Sequence, residues 1–384
     1  MHYIRLLRPP AIERGKLKLA LTITTDLGDA YLSPGEPVAL SVIGAFHDAH
    51  NRLTPINLTQ NATPRWRGGM RVLKFDLPLP PQPIKTIQIR PTGRQLAALG
   101  TSDVYPAPAG KGLIVGVYAD VPSDDGGPSQ VCFRSLRLVG DDPSAPVNAL
   151  QVEEDFGDSI ARHIWDGGVV TLSLIADICL SARSSPLPVF SDILRQTERA
   201  INVLELGCGV GIVGIGLSRI LMASRAAGAS TILMTDLPEA EERTQANISR
   251  LQDDVAQTGG PAHNIDYENL DWQEGRSGVF GEKARSKSWD LIVVSECTYN
   301  TDTLLALVRT LSALYAQSTG SSGSSRDTKV FLSTKPRHSS ERGFFEMMAV
   351  DGWLTTEKAV LPLPVLNGDA QSVEMYLFSK GTAA

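Results

Sequence analysis

The stretch that decides the fold is residues 203–214, which read Val203-Leu204-Glu205-Leu206-Gly207-Cys208-Gly209-Val210-Gly211-Ile212-Val213-Gly214. It begins as an apolar strand, passes through a glycine loop and continues as an apolar helix. Gly207, Gly209 and Gly211 let the backbone turn tightly and approach a ligand, because they have no Cβ. The helix that follows directs its partly positive N-terminus at the ligand. The pattern therefore predicts a binding site at the carboxyl edge of an open α/β sheet.

Two ligand classes fit this loop. Gly209, Gly211 and Gly214 also satisfy the dinucleotide pattern GxGxxG, so an NAD(P)-dependent oxidoreductase is an alternative at this point. Glu205 favours a different ligand, because a carboxylate two residues before the first glycine suits an ammonium group. The methionine part of S-adenosylmethionine (SAM) carries such a group.

A second carboxylate, Asp236, ends the next apolar strand, Thr231 to Asp236, roughly twenty residues past the glycine loop. At that position a carboxylate accepts hydrogen bonds from ribose hydroxyls in both ligand classes. An N-cap before Leu237-Pro238-Glu239 explains the same residue, and both roles are compatible. Asp236 therefore supports the fold more than the identity of the ligand.

The region from about residue 151 to 384 alternates short apolar runs with helical periods, which predicts a Rossmann-like α/β domain. Ile201 to Leu206 and Leu291 to Ser295 are predicted strands, and Thr303 to Tyr315 is a predicted helix. The polar segment Asp253 to Asn264 is predicted to be a surface loop.

Residues 1–150 have a different sequence pattern. Short runs rich in Val, Ile, Leu and Thr are separated by clusters of turn residues, which predicts a β-rich domain, either a small sandwich or an open barrel. The predicted strands include Leu17 to Thr25, Val38 to Phe46 and Val131 to Val139. This half of the chain contains no recognisable catalytic constellation.

Composition narrows the function classes. The net charge is −6 with no basic block, which argues against nucleic acid as the main partner. No apolar run approaches the length that is needed to span a membrane, and no secretory signal is apparent. The four scattered cysteines favour reduced thiols over disulfides or a zinc site, so no metal is expected and the predicted compartment is the cytoplasm, with or without the nucleus. Nothing in the sequence indicates an oligomeric state.

The motifs together resemble the class I, seven-β-strand methyltransferases, and within them the family-16 group that includes many protein-lysine methyltransferases. The chain resembles fungal members of this group that have an N-terminal extension. The matching segments are Glu205 to Gly211, Ile164-Trp165-Asp166-Gly167-Gly168, Thr235 to Glu239, Leu270-Asp271-Trp272 and Glu296-Cys297-Thr298-Tyr299. The last segment stands where the family usually has Asp-x-x-Tyr, so Glu296 carries one additional methylene.

The resemblance implies SAM as the cofactor and a lysine side chain of a protein substrate as the acceptor. The implied cofactor-binding residues are Trp165, Glu205, Gly207, Gly209, Gly211, Asp236, Leu237, Asp271, Trp272 and Glu296. Glu296 and Tyr299 are the implied catalytic residues, placed where they form the wall around the acceptor amine. A SAM-binding interaction protein without turnover is the remaining alternative.

Overall fold

The computed structural model describes residues 1–48, 50, 52–106, 112–122, 129–138, 148–156, 160–196, 199–224, 230–258, 264–320, 327–366 and 369–381. Within these residues the chain forms two compact units. The first comprises Met1–Arg137, Val147–His163 and Leu363–Gln371, and the second comprises mainly Ile164–Pro362 and Ser372–Ala384. Compactness does not test independent folding, so the domain division near residue 150 stays a prediction.

The first unit is built from short strands. They are β1 (His2–Leu6), β2 (Ala11–Glu13), β3 (Lys16–Thr24), β4 (Val38–His47), β5 (Leu53–Asn57), β6 (Arg65–Trp66), β7 (Leu73–Pro78), β8 (Thr86–Pro91), β9 (Ala97–Ala98), β10 (Ile114–Val115), β11 (Val117–Asp120), β12 (Val131–Leu138) and β13 (Asn148–Asp155). One short helix, α1 (Thr101–Val104), accompanies them.

These strands form two sheets. One has the order β2-β3-β1-β10-β9, with β7 added beside β3, and the other has the order β13-β12-β11-β8-β4-β5, with β6 added beside β4. Burial alternates along β8 and β12, in which every second residue is buried. Leu19 and Leu21 of β3 and Val42 and Ile89 of the other sheet belong to one hydrophobic core. Apolar faces from two sheets therefore meet, which makes this unit a β-sandwich.

The second unit contains one sheet of seven strands with the order β16-β15-β14-β17-β18-β20-β19. Its strands are β14 (Asn202–Leu206), β15 (Thr231–Asp236), β16 (Asn264–Asn269), β17 (Leu291–Ser295), β18 (Lys329–Thr334), β19 (Trp353–Leu363) and β20 (Gln371–Lys380). Strands β14 to β18 are parallel, whereas β20 runs antiparallel to β18. The carboxyl ends of the parallel strands consequently meet along one edge, where polar side chains can converge on a ligand.

Helices connect these strands. They are α2 (Asp166–Leu180), α3 (Pro188–Arg195), α4 (Ile212–Ser224), α5 (Pro238–Thr258), α6 (Trp272–Gly275), α7 (Glu282–Arg285), α8 (Leu304–Gly320) and α9 (Gly343–Val350). One helical segment, Ile160–Leu180, has the length and hydropathy of a membrane span, contrary to the expectation from sequence. Because 78% of its apolar window is buried inside the protein, a core helix explains that composition.

The predicted architecture, a Rossmann-like domain preceded by a β-rich domain, is confirmed. The predicted loop from Asp253 to Asn264 is wrong for its first half, because α5 continues to Thr258, and residues 259–263 lie outside the described residues. Val139, the predicted end of one strand, also lies outside them. The helix continues through polar residues because exposed turns of a long helix need no apolar side chains.

A buried ion pair crosses the first unit. Arg134 of β12 donates from Nε to Glu154 Oε2 of β13 at 2.6 Å, and the two side chains are 2% and 1% exposed. Arg134 also donates from Nη1 to the carbonyl oxygens of Ile4 at 2.8 Å and Gly116 at 2.9 Å. One guanidinium thus joins β12 and β13 to the strand β1 and to the chain before β11.

Replacing Arg134 with Met is expected to lower the free energy of unfolding by about 3–5 kcal/mol, because Glu154 stays buried and loses its ion pair with Arg134. Arg137→Met on the same strand is the control, since Arg137 is exposed and a change of about 0.5 kcal/mol or less is expected there. Urea denaturation of both variants measures the difference. Equal losses for the two variants would contradict a structural role for the buried pair.

Candidate functional site

The glycine loop lies between β14 and α4 and uses the left-handed backbone region three times. The φ angles of Gly207, Gly209 and Gly211 are 66°, 54° and 81°. Residues with a Cβ rarely adopt such angles, so the sequence pattern reflects a backbone requirement. The loop is tied by hydrogen bonds from Cys208 N to Thr235 O at 3.1 Å and from Gly211 N to Cys208 O at 2.8 Å.

Glu205 lies in β14, immediately before the loop, and is 2% exposed. Its Oε2 accepts a hydrogen bond of 2.9 Å from the backbone N–H of Gly214 in α4. Burial raises the pKa of this carboxyl to about 8; the Gly214 hydrogen bond opposes that rise and the charge of Asp236 adds to it. A cation beside Glu205 would favour the ionised form, so this carboxyl fits the ammonium partner that was predicted for it.

Asp236 ends β15 and closes the loop from the other side. Its Oδ2 accepts from Gly209 N at 2.8 Å, and its Oδ1 accepts from Leu237 N at 2.7 Å. Burial raises the pKa of Asp236 despite these two hydrogen bonds. Leu237 is 39% exposed, and its carbonyl oxygen accepts from Tyr267 Oη at 2.9 Å. Asp236 and the middle glycine are therefore adjacent, as the predicted ribose site requires.

Trp272 and Asp271 follow β16 and have different roles. The indole of Trp272 lies beside the first glycine, since a Cβ added to Gly207 would be 3.4 Å from Trp272 Cζ2. Asp271 is exposed, and its Oδ1 accepts from Gln273 N at 2.8 Å, so it caps the short helix α6. Of the two, Trp272 borders the glycine loop, and Asp271 acts as a helix cap in this structure.

Cys297 is a neighbour of the loop that sequence reasoning missed. A Cβ on Gly207 would collide with Cys297 Sγ. The thiol donates to Ser295 O at 3.2 Å and to Leu206 O at 3.4 Å, and burial raises its pKa well above the ordinary value. A buried, neutral thiol packs as a small apolar group. Cys297 is a free thiol, as the scattered cysteines predicted.

Glu296 follows β17 and takes a left-handed backbone conformation with φ of 58°. Its Oε1 accepts from Lys335 N at 2.9 Å, and its Oε2 accepts from Arg337 Nη2 at 2.9 Å. The side chain of Glu296 is 8% exposed. Lys335 and Arg337 were not among the predicted site residues; their position directly after the parallel strand β18 is the signal that connects them to the site.

Trp165 and Tyr299 complete the predicted set. Trp165 is half-buried at the N-cap position of α2, and Arg337 Cζ lies 5.4 Å from its ring centroid. Tyr299 is 55% exposed, so its ring faces solvent to a large extent. The structure thus gathers Glu205, Asp236 and Trp272 around the glycines, whereas Trp165 and Glu296 meet at Arg337.

A model of the lysine methyltransferase family matches residues 144–351, which is more than half of the chain. The chain belongs to the lysine methyltransferase family. Membership decides between the two ligand classes left open by the glycine pattern and disfavours the oxidoreductase. For this lysine methyltransferase family member, the predicted methyltransferase class and its cofactor SAM are confirmed.

Two curated relatives come from Schizosaccharomyces pombe. A UPF0665 family protein is 25% identical over 92% of this chain and 94% of its own length. The protein-lysine N-methyltransferase rrg1 is 29% identical over 31% of this chain and 34% of its own length. The first similarity spans both units of this family member, and the second covers about a third of the chain.

Solved structures with similar folds are distant. A precorrin-6y C5,15-methyltransferase from Geobacter metallireducens is 13% identical, covers 50% of this chain and 84% of its own, and has a TM-score of 0.33. A SAM-dependent methyltransferase from Methanosarcina mazei is 12% identical, covers 50% of this chain and 97% of its own, and has a TM-score of 0.31.

Replacing Gly207 with Ala is expected to abolish measurable SAM binding, because the new methyl group meets Cys297 Sγ and Trp272 in a left-handed backbone. Gly278→Ala is the matched control: Gly278 also has a positive φ, of 77°, but its Cβ position has no heavy atom within 4 Å. Both variants carry the backbone strain, and only Gly207→Ala disturbs the site. Calorimetric titration with S-adenosylhomocysteine measures the contrast; equal affinities would exclude a close approach at Gly207.

The raised pKa of Glu205 predicts that cofactor binding depends on pH. Because the ligand ammonium needs the ionised carboxylate, the Kd for S-adenosylhomocysteine should fall up to about tenfold per pH unit between pH 6 and 7.5 and level off above about pH 8. Glu205→Gln should remove this slope. A wild-type Kd that is constant across this range would contradict a neutral Glu205 in the free protein.

The same pKa shift has a consequence for stability. The folded protein keeps a proton on Glu205 up to about pH 8, whereas the unfolded chain loses it near pH 4.5, the ordinary pKa of a glutamate. The contribution of this group to stability therefore falls as pH rises from about 4.5 to about 8. Glu205→Gln should weaken that loss, and urea denaturation at several pH values measures it.

Proposed function

We propose that this protein transfers a methyl group from SAM to the side-chain amine of lysine in a protein substrate. The observation that carries the proposal is the buried Glu205 beside a left-handed glycine loop, within the region that matches the lysine methyltransferase family. The relative rrg1, which is named a protein-lysine N-methyltransferase, supports lysine as the acceptor over part of the chain.

In this proposal the cofactor is held by groups on both sides of the loop. Glu205 pairs with the ammonium group, Asp236 accepts hydrogen bonds from the ribose hydroxyls, and Trp272 borders the adenine. Leu237 and Asp271 border the same edge of the sheet. Trp165 forms a further wall from the start of α2.

The acceptor binds near the carboxyl end of β17, where Glu296 and Tyr299 lie. SAM supplies an electrophilic methyl group, so the lysine nitrogen must arrive without its proton. A site that excludes water lowers the pKa of an amine, and holding the nitrogen in line with the methyl carbon supplies much of the acceleration. The ring of Tyr299, which is 55% exposed, can contact the methylene chain of an incoming lysine.

The primary test is transfer of labelled methyl from SAM into cytosolic and nuclear extracts of cells that lack this protein. Methyl-lysine in one discrete protein band is the expected result. Label on another amino acid would keep the methyltransferase and overturn lysine as the acceptor. Absence of protein label, together with calorimetric binding of SAM, would instead favour a binding protein without turnover.

Replacing Tyr299 with Ala should raise the KM for the labelled protein by roughly tenfold, because loss of an aromatic contact costs about 1–2 kcal/mol. Tyr299→Phe keeps the ring and should retain most of the affinity. Val350→Ala is the control at a residue that is 91% exposed. The Kd for S-adenosylhomocysteine should stay within about twofold in all three variants. A tenfold change in that Kd for Tyr299→Ala would assign the ring to the cofactor site.

A further inference from the structure

Two basic residues after β18 reach carboxylates on different elements. Lys335 Nζ lies 2.8 Å from Asp166 Oδ2 at the start of α2, with side-chain exposures of 9% and 0%. Arg337 Nη2 lies 2.9 Å from Glu296 Oε2 after β17, with exposures of 20% and 8%. Two ion pairs at the carboxyl edge of the sheet therefore join three segments: the chain after β18, the start of α2 and the chain after β17.

The backbone of Glu296 has an unusual conformation that accompanies its contact with Arg337. Its φ of 58° is unusual for a residue with a side chain, and such conformations persist where surrounding contacts hold them. Gly167 permits the approach, because a Cβ there would collide with the Glu296 carboxylate. Both carboxylate oxygens are engaged, one by Lys335 N and the other by Arg337. A carboxylate held in this way has a fixed orientation.

Arg337 has a second contact, with the indole of Trp165. Its Cζ lies 5.4 Å from the ring centroid, which is within the range of a cation–π interaction. A planar guanidinium can donate to a carboxylate through one edge while its face lies against an aromatic ring. Arg337 therefore connects Trp165 and Glu296 through a single side chain.

Trp165 is linked to the glycine loop through the helix that it caps. A Cβ on Gly168, in the first turn of α2, would lie 2.9 Å from Cγ2 of Ile212, the first residue of α4. The start of α2 thus packs against the end of the glycine loop.

We propose that Arg337 is a positioning residue for cofactor binding: it holds the indole of Trp165 and the carboxylate of Glu296 in fixed orientations beside the glycine loop. This inference rests on the proposed function, because it assigns Trp165 to the cofactor wall. The Lys335–Asp166 pair is the more deeply buried of the two and stabilises the fold. Arg337 acts on affinity for the cofactor through Trp165.

The chain offers a matched control. Arg342 Nη2 lies 3.0 Å from Glu374 Oε1, and Arg342 Cζ lies 5.9 Å from the ring centroid of Phe345. Arg342→Ala therefore removes the same two kinds of contact, an ion pair and a cation–π interaction, from a place other than the glycine loop. Arg337→Ala should raise the Kd for S-adenosylhomocysteine about tenfold, while Arg342→Ala should change it less than twofold.

Conservative and paired variants sharpen the test. Arg337→Lys keeps the positive charge near Glu296 but loses the planar guanidinium group. Its Kd for S-adenosylhomocysteine should therefore lie between those of wild type and Arg337→Ala. Combining Arg337→Ala with Trp165→Phe should give no more than the larger single effect, because both act through one contact. Quenching of tryptophan fluorescence by acrylamide should increase in Arg337→Ala and stay unchanged in Trp165→Phe/Arg337→Ala relative to Trp165→Phe.

The outcomes separate this inference from the proposed function. S-adenosylhomocysteine binding needs no acceptor, so a failure to find methyl-lysine leaves the Arg337 test intact. A wild-type Kd in Arg337→Ala, or equal losses in Arg337→Ala and Arg342→Ala, overturns the positioning role. If Arg337→Ala fails to give a cooperative thermal transition, Arg337→Met decides, because it keeps the length of the side chain without its charge: a wild-type Kd there overturns the role, and a Kd raised severalfold supports it.

Discussion

The reversal between β14 and α4 is the constraint on which the methyltransferase unit depends. The backbone passes through three left-handed glycines, and this brings Gly214 N within hydrogen-bonding distance of the buried Glu205. Since the turn is so tight, neighbouring segments can pack directly on it: Trp272 and Cys297 lie against Gly207. A side chain at that glycine would push both away from the ligand edge of the sheet.

The parallel sheet also buries charged side chains at the carboxyl ends of its strands. Parallel strands are covered on both faces, so polar groups at their carboxyl ends lie in a medium where an unpaired charge is costly. The protein meets this cost in two ways. Lys335 and Arg337 bring cations to Asp166 and Glu296. Among the residues that the structure describes, Glu205 has no such side-chain partner, and its pKa is raised, which suits a carboxyl that receives its cation from a ligand.

Strands and helices were predictable from the sequence where a segment keeps a single hydrophobic pattern. Leu291–Ser295 was predicted with the bounds that the structure has, because a strand buried on both faces is a continuous apolar run. β19, Trp353–Leu363, was not predicted, since the polar run Thr355-Thr356-Glu357-Lys358 in its first half hides the alternation of an edge strand. Helix α5 was cut short in prediction because its last turns are polar.

Some residues of the site were predictable from the sequence, and others were not. Glycines, Glu205 and Asp236 were predictable because they lie within one strand–loop–helix pattern, and their geometry is set by neighbours close in the chain. Arg337 approaches Glu296 across 41 residues and Trp165 across a still longer separation, so no local spacing could predict either contact. The sequence by itself determined the α/β class, the glycine turn and the kind of cofactor. Only the tertiary structure decided which cation meets which carboxylate, because strand order brings together the ends of segments that are far apart in the chain.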